Sequence, residues 1–257
     1  MRVLAVGDVV GKNGVEFLQD VLPAYRRLEG IDFCVVNGEN SSDGNGITPV
    51  SLRELYAGGA DVVTTGNHAF RRPEMMDVYD EDASVLRPAN FPSSVPGRGF
   101  CVVDKGRYRI GVVNLMGTTY LEPLGNPFQA ADRILPELKE CRFLLVDFHA
   151  EATSEKRAMA FYLDGRVSAL FGTHTHVQTA DEQILPEGTG YITDLGMTGP
   201  IQSVLRAKPE LAIRKFCTNL PTRFDLVKDG EQMLNGCVFD LDDRNGKTVA
   251  VERITLK

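Results

Sequence analysis

Short apolar runs recur along this chain, and five of them end in a residue that can bind a cation. Residues 3–6 lead into Gly7-Asp8, residues 33–36 into Asn37-Gly38-Glu39-Asn40, and Val62-Val63-Thr64-Thr65 into Gly66-Asn67-His68. Residues 143–147 lead through Phe148 to His149, and residues 167–171 lead to Gly172-Thr173-His174-Thr175-His176. Runs of this length, bounded by turn residues, read as buried strands. Between the first three lie helical patterns. Val15, Leu18 and Leu22 share one stripe that Tyr25 and Leu28 extend, with Pro23 expected to kink or divide the helix and Gly30 to end it. Thr48-Pro49 supplies a cap and a first-turn proline for a second helix, which Gly58-Gly59 stops. Strands at 3–6, 31–36 and 60–64 alternating with helices predict parallel pairing through crossovers.

The second half is mixed. Residues 100–104 and 107–114 flank Lys105-Gly106 as a hairpin. Asn126-Pro127 starts a helix toward Glu140, and residues 153–163 form another. Residues 237–241 and 249–254 alternate around Asn245-Gly246, a strong hairpin signal. Residues 88–99, rich in Pro and Gly, read as a surface loop. No repeat, low-complexity tract or linker interrupts the pattern. It predicts an α/β fold of two packed mixed β-sheets flanked by helices, in a single domain over residues 1–257.

Composition narrows the partners. The charged fraction is 25%, the net charge is −7, and no Lys/Arg run is present. Tracking long nucleic acid is therefore not expected, because such binding rests on phosphate neutralisation. A small phosphate ester held through metal ions remains open, since local charge then outweighs net charge. The five cysteines are scattered and lack a Cys-x-x-Cys pair, as reduced thiols of a cytoplasmic protein would be. The apolar start reaches only Val6, short of a signal peptide. No stretch approaches the ~18 apolar residues of a membrane span. The pattern is compatible with a homo-oligomer.

All four histidines belong to these strand-end motifs. Carboxylate oxygen and imidazole nitrogen suit Mn, Fe and Zn. Two such ions ~3.5–4 Å apart can clamp a phosphoryl group, and they need a bridging ligand. Glu39, in a short turn after a buried strand, is the candidate bridge, and Asp8 can complete one side. Gly7 and Gly38 would let the backbone turn tightly at these acids. Each element has a bland alternative: Asp8 as a helix cap, Glu39-Asn40 as a loop opening, Gly66-Asn67-His68 as a turn, His149 as a structural histidine. His174 and His176, two apart on a strand, would share one face. Residues 194–200 stay open between a ligand-facing loop, with Met197 against a base, and an ordinary surface turn.

Together, Gly7-Asp8, Gly38-Glu39-Asn40, Gly66-Asn67-His68, His149 and Gly172-Thr173-His174-Thr175-His176 resemble the signature of calcineurin-like metallophosphoesterases. Gly7-Asp8-Val9-Val10-Gly11, Asn37-Gly38-Glu39-Asn40 and Asp194-Leu195-Gly196-Met197-Thr198-Gly199-Pro200 resemble its YmdB-type branch, bacterial 2′,3′-cyclic-nucleotide phosphodiesterases. The superfamily usually has Asp-x-His first. Val10 stands at that histidine position here, and the resemblance implies that Asn40 replaces it. Lys12-Asn13-Gly14-Val15 departs from the branch, which bears on a phosphate contact from this loop and not on the metal ligands. The resemblance implies one metal on Asp8, Glu39, Asn40 and His176 and a second on Glu39, Asn67, His149 and His174. His68 is then left as the catalytic acid–base group, or alternatively as a residue orienting Asn67. Two divalent or trivalent ions are implied, iron or manganese first, with zinc compatible.

The reading from sequence is therefore a phosphodiesterase that opens small 2′,3′-cyclic nucleotides with metal-activated hydroxide. One rival is a phosphomonoesterase on the same scaffold. A second is a regulatory protein that senses a nucleotide or holds an RNA-processing partner. An amidohydrolase barrel fits poorly, because His-x-His comes late and the eightfold βα pattern is missing.

Overall fold

The computed structural model describes residues 1–257. Fourteen strands form two sheets: β1 (Arg2–Val6), β2 (Asp8–Val9), β3 (Phe33–Asn37), β4 (Val62–Thr64), β5 (Val85–Leu86), β6 (Phe100–Asp104), β7 (Arg109–Met116), β8 (Phe143–His149), β9 (Ala169–Thr173), β10 (Gln183–Ile184), β11 (Gly190–Ile192), β12 (Met197–Pro200), β13 (Gln232–Leu241) and β14 (Thr248–Leu256). The helices are α1 (Gly11–Glu29), α2 (Pro49–Ala57), α3 (Met76–Glu81), α4 (Pro127–Ile134), α5 (Thr153–Leu163) and α6 (Pro209–Thr218). One sheet runs β2-β12-β13-β1-β3-β4-β5 with β14 on β13, and the other runs β10-β11-β9-β8-β7-β6.

Both sheets are mixed, as the pattern predicted. β1, β3, β4 and β5 are parallel neighbours, and the C-terminal hairpin β13–β14 enters antiparallel beside β1. β7, β8 and β9 are likewise parallel, with β6 antiparallel at the edge. Alternation assigns each residue its layer. Val3, Ala5, Phe33 and Val35 meet Val112, Phe143, Leu145 and Phe171 between the sheets. Leu4, Val6, Cys34 and Val36 face the other way, onto Val15, Leu18 and Leu22 of α1 and Leu52 and Leu55 of α2. Val146, Phe148 and Leu170 pack on Met159, Ala160 and Leu163 of α5. The result is a sandwich of two sheets with helices outside.

Pro23 does not divide α1, because Val15, Leu18 and Leu22 seat its preceding turns on the sheet. Leu28, placed on its apolar stripe, is 82% exposed. Gly30 does end α1, with φ at 64°. Thr48 caps α2 by accepting from the Ser51 N–H, and Asn126 caps α4. The five cysteines are free thiols, three of them buried. No helix is long and apolar enough to cross a membrane.

Candidate metal centre

The parallel strands β1, β3, β4, β8 and β9 all end at one edge of the sandwich, where α/β folds build their crevices. There the structure brings together every sequence-predicted site residue: Asp8, Glu39, Asn40, Asn67, His68, His149, His174 and His176. Gly66 shows how tightly they pack. A Cβ on it would lie 2.2 Å from the His149 ring and 2.4 Å from Glu39 Oε2.

Four acceptor atoms converge at the centre. His149 Nε2 lies 3.1 Å from Asn67 Oδ1, 3.1 Å from His174 Nδ1 and 3.4 Å from Glu39 Oε1. The residues behind the rings set which nitrogen is bare. The Thr173 hydroxyl donates to Asp147 Oδ1 (2.8 Å) and so accepts from His149 Nδ1 (2.9 Å), which turns the Nε2 lone pair inward. His174 donates through Nε2 to Glu151 Oε2 (3.0 Å), turning its Nδ1 lone pair inward. Acceptors this close stay together only with a proton on His149 Nε2 or a bound cation among them. Spacings of ~3.0–3.4 Å are those of neighbouring ligands around an ion with bonds of ~2.1 Å.

A second group lies alongside. Asn40 Nδ2 is 3.1 Å from Glu39 Oε1 and 3.4 Å from His176 Nε2, which is 3.7 Å from Asp8 Oδ1. Asp8 Oδ1, Asn40 Oδ1 and His176 Nδ1 are buried without a hydrogen-bond partner. Orphaned polar atoms are costly. Here they belong to three neighbouring side chains, and rotating the Asn40 amide by half a turn would direct its oxygen at Glu39 and His176. This donor set also fits a divalent cation.

The electrostatics agree. Burial pushes the Asp8 carboxyl up to about 7. Burial opposes charge on His149, but Glu39, Asp8 and Asp147 outweigh it and raise the ring to about 9. Burial also opposes charge on Glu39, yet His149 and His68 hold it well below the usual carboxylate range. Burial lowers His174 and His176 to about 4, leaving both neutral as ligands must be. Without a metal, a proton on His149 offsets the charge of Glu39; a bound cation would take the place of that proton and leave the ring neutral.

His68 stands at the rim, 24% exposed. Its Nδ1 is 3.0 Å from Glu39 Oε1, and its backbone N–H donates to Glu39 Oε2 (3.1 Å). Its Nε2 faces Asn45 Nδ2 at 3.1 Å and Asn67 Nδ2 at 3.4 Å. Arg206 fixes the direction of this chain by donating to Asn45 Oδ1 and the Gly44 carbonyl. The Asn45 amide therefore donates to His68 Nε2, and His68 Nδ1–H donates to Glu39.

Several residues outside the strand-end motifs also build the site. Asp147 takes hydrogen bonds from Asn37, Thr64 and Thr173, and Glu151 orients His174. Arg206 reaches Asn45 across 161 residues from a left-handed backbone at Leu205 and Arg206. Lys156 and Asp194 form a fully buried ion pair of 2.6 Å. One signal was available: Lys156 lies on the stripe of Met159, Ala160 and Leu163 that α5 buries.

Two expectations fail. His174 and His176 do not share a strand face, because β9 stops at Thr173. Both take positive φ, 104° and 65°, in a turn held by the Thr175 N–H bond to Asp194 Oδ2. Residues 197–200 form strand β12 and not a surface turn. Met197 is 3% exposed and pairs in β12 with Asp8. The close approach at Gly7 likewise serves the fold, since its Cβ would strike the Gly196 carbonyl.

The buried pair gives the first prediction. Lys156→Met leaves Asp194 buried without its cation and should cost ~3–5 kcal/mol in urea unfolding of the metal-free protein. Adding Asp194→Leu should not recover it, because the Thr175 and Gly196 N–H groups then lose their acceptor. Full recovery in the double variant would show that Asp194 does not hold the histidine turn.

Relatives aligned over this whole chain and nearly all of their own length make it a phosphoester hydrolase. The profile of the family described as "YmdB-like protein" matches residues 4–254. The chain is 46% identical to the 2′,3′-cyclic-nucleotide 2′-phosphodiesterase of Bacillus subtilis (strain 168), over 100% of this chain and 97% of that one. A hypothetical protein from Thermus thermophilus superposes with a TM-score of 0.93 at 39% identity, over 100% of this chain and 99% of the other. A Mycoplasma pneumoniae protein described as a novel phosphatase gives the same TM-score at 35% identity, over 100% and 93%. The chain belongs to the YmdB-like family.

Proposed function

We propose that this phosphoesterase hydrolyses small phosphodiesters, and 2′,3′-cyclic nucleotides in particular, at a two-metal centre. The observation that carries the metal reading is the convergence of Glu39 Oε1, Asn67 Oδ1, His149 Nε2 and His174 Nδ1, with the unpartnered atoms of Asp8, Asn40 and His176 beside them. Glu39, Asn67, His149 and His174 would hold one ion, and Asp8, Glu39, Asn40 and His176 the other. When bound, divalent ions of the iron or manganese type neutralise phosphoryl charge and lower the pKa of water. The residues around them do the rest. Glu39 contributes negative charge shared by both positions. Asp147 and Glu151, from behind, keep the His149 and His174 lone pairs inward. Asn45 and Asn67 hold His68 with Nε2 as an acceptor at the rim, the state of a group that receives a proton. Protonating a leaving oxygen would require His68 to gain a proton at Nε2 and break from Asn45.

The substrate reading is supported by identity with the Bacillus subtilis enzyme over the whole chain. Ring strain in a 2′,3′-cyclic phosphate also lowers the demand on the acid–base group. Hydrolysis of 2′,3′-cyclic AMP should exceed that of a simple phosphomonoester in kcat/KM with the same added Mn or Fe. A clear preference for the monoester would make this chain a phosphatase. No turnover of either at full metal content would make it a binding protein.

A further inference from the structure

A cleft of about 990 Å³ opens beside the metal centre, with Asn45 and Arg206 in its near wall. Asn45 also touches His68, so the cleft begins where a bound phosphate would end. Five cations line it: Lys12, Arg206, Lys208, Arg223 and Lys228, against three aspartates. That balance is opposite to the chain's net charge of −7. Of these cations only Lys12 is in an ion pair, with Glu16. The start of α1 forms part of the floor, with no side-chain cap and no acid in its first turn, so its N–H groups beyond that of Gly11, which is bonded to the Asn40 carbonyl, add to the positive side. On the far wall Phe216 and Phe224 are 78% and 47% exposed, large rings left in water.

We propose that this cleft seats the nucleotides upstream of the reacting phosphate, so that the preferred substrate is a short single-stranded RNA whose 3′ end carries the 2′,3′-cyclic phosphate. The inference rests on the phosphodiesterase reading of the site and extends it. A 2′,3′-cyclic phosphate closes the 3′ end of a chain, so any further nucleotides can extend only in the 5′ direction. A groove combining unpaired cations with exposed aromatic rings is how proteins hold a single strand without reading its sequence. The volume suits on the order of two nucleotides, beyond the one at the metals. The acidic remainder of the surface would repel a longer strand, which keeps the footprint short. Such ends arise when the 2′-hydroxyl of RNA attacks its own 3′-phosphodiester and expels the next 5′-oxygen. A ribonucleolytic transesterification is therefore the class of reaction that supplies the substrate.

The test compares kcat/KM for 2′,3′-cyclic AMP with that for a tri-adenylate ending in a 2′,3′-cyclic phosphate, using the metal-loaded full chain. The trinucleotide should be favoured ~10-fold or more at about 50 mM salt. That preference should fall as salt rises to about 200 mM, with a log–log slope on the order of −0.7 per contacted phosphate. Phe224→Ala and the double variant Lys208→Ala/Arg223→Ala should each pull the ratio of the two substrates toward one. A parent ratio at or below one, with brisk mononucleotide turnover, overturns the cleft assignment and leaves the phosphodiesterase reading standing. A high ratio that neither variant moves also overturns it. Failure to hydrolyse either substrate at full metal content removes the phosphodiesterase reading, and this inference with it.

Discussion

His68→Ala should keep the fold and most of its bound metal while losing ~10²–10⁴-fold in turnover of 2′,3′-cyclic nucleotide. The expectation follows from where the ring sits. Its Nε2 stands at the rim beside the Asn45 and Asn67 amides, while its Nδ1 faces Glu39. Its Nδ1 and backbone N–H both bind Glu39, so a bland role exists: the residue could serve only to steady that carboxylate. Metal content separates the two. If His68 only steadies Glu39, the alanine variant loses metal and rate together, and added metal restores the rate. If it handles the proton, metal content measured by elemental analysis stays near the parent value and saturating metal restores nothing. Turnover equal to the parent would end the catalytic assignment.

Glu39→Gln should cost more metal than any other single change at the site. Glu39 is 1% exposed and meets His68, Asn40 and His149 through one oxygen and the His68 N–H through the other. The amide keeps the shape but removes the charge that both cation positions share, and its NH₂ would face groups that need an acceptor. Losing a residue behind a ligand costs ~10–100-fold in metal affinity, and loss of the shared ligand should exceed that at both positions. His174→Ala should instead weaken mainly the position shared with Asn67 and His149. Elemental analysis and competition with a chelator give both numbers. Two ions retained by Glu39→Gln at parental affinity would rule out the shared carboxylate.

Much of this architecture could be read from local pattern. Periodicity placed α5 at its observed bounds, and the Asn245-Gly246 turn located the last hairpin. Thr48-Pro49 and Asn126-Pro127 marked two helix starts by capping chemistry that acts within three residues. The eight candidate site residues were legible because each follows an apolar run, and parallel strands deliver their carboxyl ends to one edge. Where local pattern misled, packing or backbone geometry had overridden it. Pro23 signals a kink or a division, but α1 is not divided there, because the buried residues before it hold the helix on the sheet. His-x-His was read as a strand face, but the strand ends one residue earlier and a buried aspartate bends the turn.

The sequence by itself determined the elements, their sidedness and the identity of the metal-type side chains, because these depend on neighbours a few positions away. Only the tertiary structure decided which nitrogen of each ring faces the centre, since that is set by Thr173, Asp147 and Glu151 acting on the rings from behind. It alone also brought Arg206 to Asn45 and Lys156 to Asp194, across 161 and 38 residues. Contacts at such separations leave no periodicity in a single chain. They exist because the two sheets pack face to face and carry distant loops to a common edge.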